Sequence, residues 1–341
     1  MTIAWDTILG ANRLLAQAAL RPVQGTRFQP TGFPDLGPAT YELPQGGAAR
    51  SMLLVESAQS MANRLEAVCW DEGREDVVAM LAGLPYVRVK LWNSGRSTNS
   101  LLEAHRLNSA YIMSDSSFLE ELRTRAAVPE RGKKKTQESA QEQESAGVGP
   151  IDHRAVARAV FHYDPCSVLH GIFLEKLDGR VRLQRTLSAF IEAADVGIAS
   201  SGGVKNDRVA AAGLGPGFEA KQGFGNVPFP RTEFTAESVT AYFSIDIAQI
   251  RAYALGEVAE RLLLALAMWK IGRLLDSGLR LRTACDFEVE GELHVSRPAG
   301  LTLPDMRDLE RELPILISDC AGLGLFATPP VTELVFDKPK K

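Results

Sequence analysis

The sequence predicts an α+β fold with a mostly antiparallel sheet that carries its helices on one face. Three observations lead there. Val239, Ala241, Phe243, Ile245 and Ile247 fall at every second position, the pattern of a strand with one buried face. Asp178-Gly179 separates an apolar run, Gly171 to Leu177, from Arg180-Val181-Arg182-Leu183, and such a dipeptide suits a type I′ hairpin turn, in which both central residues need positive φ. A long apolar helix from Gly256 to Leu275 is closed by Ser277-Gly278, a favoured C-terminal signal. Strands and helices that interleave, with hairpins among them, argue against a doubly wound parallel sheet.

Taken in order, Ile8, Ala11, Leu15 and Ala18 recur at helical spacing, and the Pro- and Gly-rich run from Pro22 to Gly47 reads as a wrapping loop. Met52 to Val55 reads as a strand leading into a helix whose apolar stripe is Ala58, Met61, Ala62, Leu65 and Val68. Ser57, Ser60, Asn63 and Arg64 occupy its polar arc. Tyr86 to Leu91 alternates, with Val87, Val89 and Leu91 on one face and Tyr86, Arg88 and Lys90 on the other. Ser117 with Glu120 is a capping-box signature for a helix running to about Ala127. Pro129 to Gly149 has almost no residue able to enter a core, and it is expected to be a flexible polar loop, its Lys133 to Lys135 being a solvated cationic run or a phosphate contact. A helix follows near Asp152 to Phe161. Leu187, Phe190, Ile191 and Ala194 suggest another helix, Val196 to Ala199 a buried strand, and Leu279 to Val289 a strand with Arg280 and Arg282 on one side.

Composition bounds the possibilities. A chain of 341 residues with 45% hydrophobic and 23% charged residues is an ordinary folded protein, neither disordered nor fibrous. Its longest apolar stretch, Leu262 to Trp269, is far short of the roughly 18 to 20 residues of a membrane span. Asp6 and Asn12 interrupt what a signal peptide would keep apolar, and Cys69, Cys166, Cys285 and Cys320 are scattered, so the expected compartment is the cytoplasm with reduced thiols. A net charge of -4 supplies no global field for nucleic acid, so any such binding must be local.

Several chemistries fail on spacing. Gly213 to Lys221 lacks the Gly-Lys-Ser/Thr ending of a phosphate-binding loop, and its glycines do not match a dinucleotide turn. Ala199 to Gly203 resembles a nucleophile elbow around Ser201, but Ala199 replaces the first glycine. His162, Cys166 and His170 would align on a helix for a metal, yet Pro165 interrupts the set. No metal, cofactor or catalytic residue is expected. The positive signal is cationic: Arg88 with Lys90, Arg180 with Arg182, and Arg280 with Arg282 each share one side of a predicted strand, and in one sheet they would form a positive surface with Tyr86 available to stack on a base. Lys205, Asn206 and Arg208 beside Gly202-Gly203, and Lys221 and Gln222 with Arg231 around Phe224 and Phe229, add donor-rich loops.

LLVESAQSMANRLE (Leu53 to Glu66), HRLNSAYI (His105 to Ile112), GIASSGGVKNDRV (Gly197 to Val209), KQGFGNVPF (Lys221 to Phe229) and LALAMWKIGRLLDSGLRLRTACDFEV (Leu264 to Val289), with PVQGTRFQPTGFPDLG from Pro22, resemble the type I-G (formerly type I-U) CRISPR-associated RAMP backbone subunit, the Cas-seven-type protein of that Cascade. The resemblance covers most of the chain and omits Pro129 to Gly149.

The resemblance implies one elaborated domain over residues 1–341, with an RNA-recognition-motif (ferredoxin-like) core and large insertions like the fingers and thumb of a hand. Copies would stack head to tail along a CRISPR guide RNA, gripping its backbone and leaving its bases to pair with target DNA, beside other Cascade subunits. A head-to-tail contact is heterologous, so acidic surfaces facing basic ones would favour a filament. The residues expected to contact RNA are Ser57, Ser60, Asn63, Arg64, Arg88, Lys90, His105, Arg106, Lys205, Asn206, Arg208, Lys221, Gln222, Arg280 and Arg282, with Arg280 and Arg282 alternatively pairing with a neighbouring subunit. Such backbone subunits are not usually nucleases. The rival expectation is a metal-dependent ribonuclease of the same superfamily, with Asp207 or Asp246 as its aspartate, and a hydrolase at Ser201 is a third.

Overall fold

The computed structural model describes residues 3–33, 35–45, 48–92, 94–129, 150–205, 224–225 and 227–337. Its main sheet has seven strands, numbered along the chain as β1 (Leu14–Pro22), β4 (Thr40–Gln45), β5 (Ala48–Glu56), β12 (Leu187–Ala194), β15 (Ser238–Ile245), β16 (Leu279–Arg282) and β17 (Cys285–Arg297). They lie in the order β16-β17-β1-β15-β12-β5-β4, and every neighbouring pair is antiparallel. A smaller sheet places β8 (Tyr86–Leu91) between β9 (Ser97–Asn99), antiparallel, and β18 (Val331–Phe336), parallel. Strands β13 (Gly197–Lys205) and β14 (Val227–Thr235) form a separate ribbon. Short antiparallel pairs join β2 (Gly32–Phe33) to β3 (Gly37–Pro38), β6 (Trp70–Asp71) to β7 (Asp76–Val77), and β10 (Ile172–Phe173) to β11 (Arg182–Leu183).

The helices are α1 (Trp5–Gly10), α2 (Ala58–Ala67), α3 (Ser116–Arg125), α4 (His153–Tyr163), α5 (Pro165–His170), α6 (Ile247–Ala252), α7 (Glu257–Asp276) and α8 (Met306–Gly322). Helix α7 is apolar nearly all round, as a helix enclosed by protein must be, and it packs against α2, α5, α6, α8 and β15. Its C-terminal signal behaves as expected, with Gly278 at φ +79. Asp152 caps α4 by accepting from the Arg154 and Ala155 amides, and Asp164 caps α5 by accepting from Cys166 and Ser167. The buried apolar residues form one connected core, and no helix among the described residues is long and apolar enough to cross a membrane.

Several expectations are corrected. Helix α1 ends at Gly10, and Leu15 and Ala18 belong to β1, where Leu14, Ala16, Ala18 and Leu20 are buried at period two. Leu187, Phe190, Ile191 and Ala194 are likewise in a strand: Leu187, Ala189, Ile191 and Ala193 point into the core, and Phe190 stacks on Tyr242 across the other face at 5.1 Å. The run from Pro22 to Gly47 contains β2, β3 and β4. Val196 to Ala199 leads into the ribbon, where Ile198 is 70% exposed. Neither Asp178 nor Gly179 has positive φ, so the turn is not type I′; the chain loops from 174 to 181 between β10 and β11. Asp115, not Ser117, caps α3, accepting from the amides of Ser117 and Phe118. Leu279 to Val289 is a hairpin of β16 and β17, turning at Ala284 with φ +57. Helices α4 and α5 break at Asp164, so His162 and His170 do not share one helix.

The expected three-pair cationic sheet is corrected too. Arg88 and Lys90 sit on the small sheet, Arg280 and Arg282 on an edge of the main sheet, and Arg182 on β11 with Arg180 in the turn before it. Tyr86 is buried, and its hydroxyl donates to Asp76 at 2.8 Å, so it offers no ring to a base.

Candidate nucleic-acid interface

One groove, of about 670 Å³, brings together residues from α2, the turn at Arg106–Asn108, the end of α5, and β10–β11. Asn63 and His105, two of the residues expected to contact RNA, are exposed on it. So is Arg182, whose guanidinium lies 5.4 Å from the ring centre of Phe173, itself 44% exposed. Arg185 completes the set. It donates through Nε to the His170 carbonyl (3.1 Å), through Nη1 to the Ala58 carbonyl (2.9 Å) and through Nη2 to Gln59 Oε1 (3.0 Å).

Among the described residues neither Arg182 nor Arg185 has a carboxylate within salt-bridge distance. Burial first, and then the neighbouring Arg106 cation, push the Arg185 guanidinium below its ordinary pKa. A cation held this way is stabilised by an incoming anion, and a phosphate oxygen fits the guanidinium fork.

Arg106 lies under the groove rather than in it. Its guanidinium is buried, forms a two-bond pair with Glu66 (2.6 and 2.8 Å), and donates to the Gly171 carbonyl at 3.3 Å. It therefore holds the floor. Gly171 has φ +75, and a Cβ there would lie 2.8 Å from the Arg185 amide nitrogen, so the close approach that seats Arg185 needs glycine. Deeper still, Lys270 on α7 is fully buried and donates to His170 Nε2 (2.9 Å) and Cys166 Sγ (3.2 Å), with Glu66 and Asp164 near its charge. Burial, then Lys270, Arg106 and Arg185, push His170 well below the ordinary histidine pKa, so its ring is neutral and accepts from the ammonium.

The other expected residues are placed elsewhere. Ser57 caps α2, accepting from the Ser60 amide, and Ser60 donates to Glu56. Glu56 is a buried carboxylate shared by Arg64 (3.2 Å) and Arg282, and Arg64 also donates to the carbonyls of Arg280 and Leu281. These two arginines tie α2 to β16. Arg280 is exposed at a second cleft, of about 400 Å³, beside Arg27 and Glu233, which pair at 3.1 Å. On the small sheet Arg88 pairs with Glu333 (3.2 Å) and lies over the Tyr86 ring, and Lys90 is 3.9 Å from Glu333. Lys205 pairs with Val227 through its backbone at the end of β13. Asn206, Asp207, Arg208, Lys221, Gln222 and the Lys133 to Lys135 run lie outside the described residues.

Asp246 caps α6 and pairs with Arg13, and Ser201 Oγ donates to Glu233 at 3.5 Å from mid-strand, not from a strand-to-helix turn. His162 Nδ1 meets the Leu325 carbonyl at 3.1 Å while Cys166 and His170 face Lys270, and no group of three or more His, Cys, Asp or Glu among the described residues is arranged to hold a metal. Sequence reasoning missed Gln59, Phe173 and Arg185. Only Arg180-x-Arg182 hinted at the last, because the elements that make the groove are far apart in the chain.

No curated protein matches this chain. Among solved structures, it is similar to a chain of a "CRISPR RNA-guided surveillance complex, pre-nicking", at 12% identity and a TM-score of 0.40, over 91% of this chain and 89% of that one. It is also similar to Csc2 of Thermofilum pendens, at 11% identity and a TM-score of 0.32, over 95% of this chain and 81% of that one. The family model described as CRISPR-associated protein GSU0053 matches residues 14–198, more than half of the chain. That span runs from the first strand of the main sheet through α2, the Arg106 turn and both groove arginines, and on it the chain belongs to the CRISPR-associated GSU0053 family.

Proposed function

We propose that this protein is a CRISPR RNA-binding backbone subunit of a type I Cascade interference complex, a cytoplasmic, non-enzymatic scaffold that holds the guide while its bases pair with target DNA. The observation that carries the reading is the groove in which Arg182 and Arg185 stand without carboxylate partners beside exposed His105 and Asn63. A surface of this kind grips phosphates in a chain whose net charge is -4, so binding is local and independent of sequence. Asp246, engaged by Arg13 and by the Gln249 amide of α6, supports a scaffold over a nuclease.

The core is read as one elaborated RNA-recognition-motif domain. In its favour, β1, β12, β15 and β17 are neighbours in the order β17-β1-β15-β12, with α7 joining β15 to the β16–β17 hairpin. If these four are numbered along the chain, the order is 4-1-3-2 with all pairs antiparallel, the arrangement of a split βαβ fold. The remaining strands and the ribbon would be the hand-like insertions. The ribbon supports head-to-tail stacking: Ile198 (70%), Val204 (55%) and Phe229 (46%) are exposed on it, apolar surface that a neighbouring copy would cover.

The test is retention of guide RNA by the protein co-expressed with its CRISPR array and partner subunits. The wild-type assembly should carry guide-derived RNA, and Arg182→Glu with Arg185→Glu should lose most of it while remaining folded. Equal retention by the double variant would remove the groove from the account.

A further inference from the structure

We infer that Asn108 and His170 read the ribose 2′-hydroxyl of a strand lying in the groove, so that the groove itself selects RNA over DNA. The selectivity rests on the reading of the groove as a site that grips phosphates, and adds to it the groups that tell one sugar from the other.

Two polar atoms of the groove are unspent. Asn108 Oδ1 and His170 Nδ1 are buried, both residues line the groove, and neither atom has a hydrogen-bond partner among the described residues. A buried polar atom without a partner is costly, so a ligand group that pairs with it is bound the more tightly. The two atoms are of opposite kind. The Lys270 ammonium has only protons to give, and it donates to His170 Nε2 at 2.9 Å; the one proton of the neutral ring is then on Nδ1, which makes that atom a donor. Asn108 Oδ1 is an acceptor.

The floor of the groove ties the two residues together. Arg106 shares the turn of Asn108, with φ +54, and its guanidinium donates at 3.3 Å to the carbonyl of Gly171, the residue after His170. The two-bond pair with Glu66 fixes that guanidinium, so the turn and the end of α5 are held to each other. Arg185 donates to the His170 carbonyl at 3.1 Å, which sets a phosphate-binding cation beside them. The other two side-chain amides of the groove are engaged: Gln59 accepts from Arg185 at 3.0 Å and donates to Asn63 Oδ1 at 3.5 Å.

A ribose hydroxyl is favoured because it answers a donor and an acceptor in one group. A phosphate oxygen only accepts, so it would satisfy His170 and the arginines and leave Asn108 Oδ1 unpaired. Deoxyribose has no hydroxyl at the 2′ position, and on the reading above the bases are left to pair with target DNA. The 2′-hydroxyl both donates and accepts, and it stands next to the phosphate of its own nucleotide.

Fluorescein-labelled ten-nucleotide strands of uridine, deoxyuridine and 2′-fluorouridine are titrated with the full chain and followed by anisotropy. The 2′-fluoro strand keeps the sugar pucker of RNA but has no proton to donate there, which separates the hydroxyl from backbone shape. The uridine strand should bind at least about tenfold tighter than either of the others, because a site built around a hydroxyl leaves its own polar atoms unpaired when the hydroxyl is missing. Asn108→Ala removes the acceptor and should shrink that ratio to below about threefold. The comparison of strands needs no substitution, so it decides even where the variant is unstable. Equal affinity for the uridine and deoxyuridine strands, a 2′-fluoro strand that binds as the uridine strand does, or a ratio that survives Asn108→Ala would each overturn the inference. Equal RNA and DNA affinities that fall together in Arg182→Glu with Arg185→Glu remove this selectivity and leave the proposed function standing; a uridine affinity indifferent to that double variant removes the groove and the selectivity with it.

Discussion

Replacing Glu66 by leucine tests whether the buried pair beneath the groove holds its floor. The side chains of Arg106 and Glu66 are only 6% and 2% exposed, so losing the carboxylate strands a cation away from water with the Gly171 carbonyl as its remaining acceptor. Breaking such a pair from one side costs about 3–5 kcal/mol. Replacing both, Glu66→Leu with Arg106→Met, removes the charges together and leaves chiefly an unsatisfied Gly171 carbonyl, a cost nearer about 1–3 kcal/mol. Urea unfolding of the two single variants and the double gives a thermodynamic cycle, in which the double should be more stable than Glu66→Leu alone and the coupling should be at least about 2 kcal/mol. The Glu66→Leu variant should also bind guide RNA more weakly, because Arg106 anchors the turn that carries His105. A Glu66→Leu cost below about 1 kcal/mol, or additive singles, would refute the argument that this pair is buried and structural.

Three further outcomes follow from the same geometry. Arg182→Glu with Arg185→Glu should flatten the salt dependence of RNA binding, lowering the log-log slope by about 0.7 for each phosphate that is no longer neutralised; an unchanged slope in filter binding would show that neither touches phosphate. Gly171→Ala places a Cβ 2.8 Å from the Arg185 amide at φ +75. It should destabilise the fold by about 1–3 kcal/mol and weaken RNA binding by displacing Arg185, as melting and binding curves would report. His170, with a depressed folded pKa, stays neutral as pH falls through the ordinary histidine range near 6.5 while the unfolded chain takes up a proton. Its contribution is therefore complete above that pH and is lost below it, by up to about 1.4 kcal/mol per pH unit. The stability difference between wild type and His170→Gln should shrink accordingly in unfolding at pH 7.5, 6.5 and 5.5, and an imidazole that titrates by NMR near pH 6.5 would contradict the burial.

Where periodicity is clean, the sequence is legible. Strand β15 and helices α2 and α7 lie close to where alternation and helical spacing put them. Strands β1 and β12 read as helices because each carries apolar residues on both faces, so that Leu15 with Ala18, and Leu187 with Phe190 and Ile191, fall at three- and four-residue spacing, and only the sheet decides which face is buried. The site is less legible than the fold. Arg64, Arg106 and Arg282 stand out as cations, yet their carboxylates, Glu56 and Glu66, lie on other elements, up to 226 positions away in the chain. Local sequence shows a charge and not its partner. Arg185 is the converse case: its role arises from carbonyls at Ala58 and His170 that only the fold brings together.

The most direct test of the central claim is the ultraviolet absorbance ratio of the assembly purified from cells expressing the CRISPR array, with sequencing of the RNA it releases. The account predicts guide-derived RNA in the wild-type assembly and its loss when Arg182 and Arg185 are reversed in charge. Protein free of nucleic acid with all partner subunits present, or carrying RNA unrelated to the array, would contradict it.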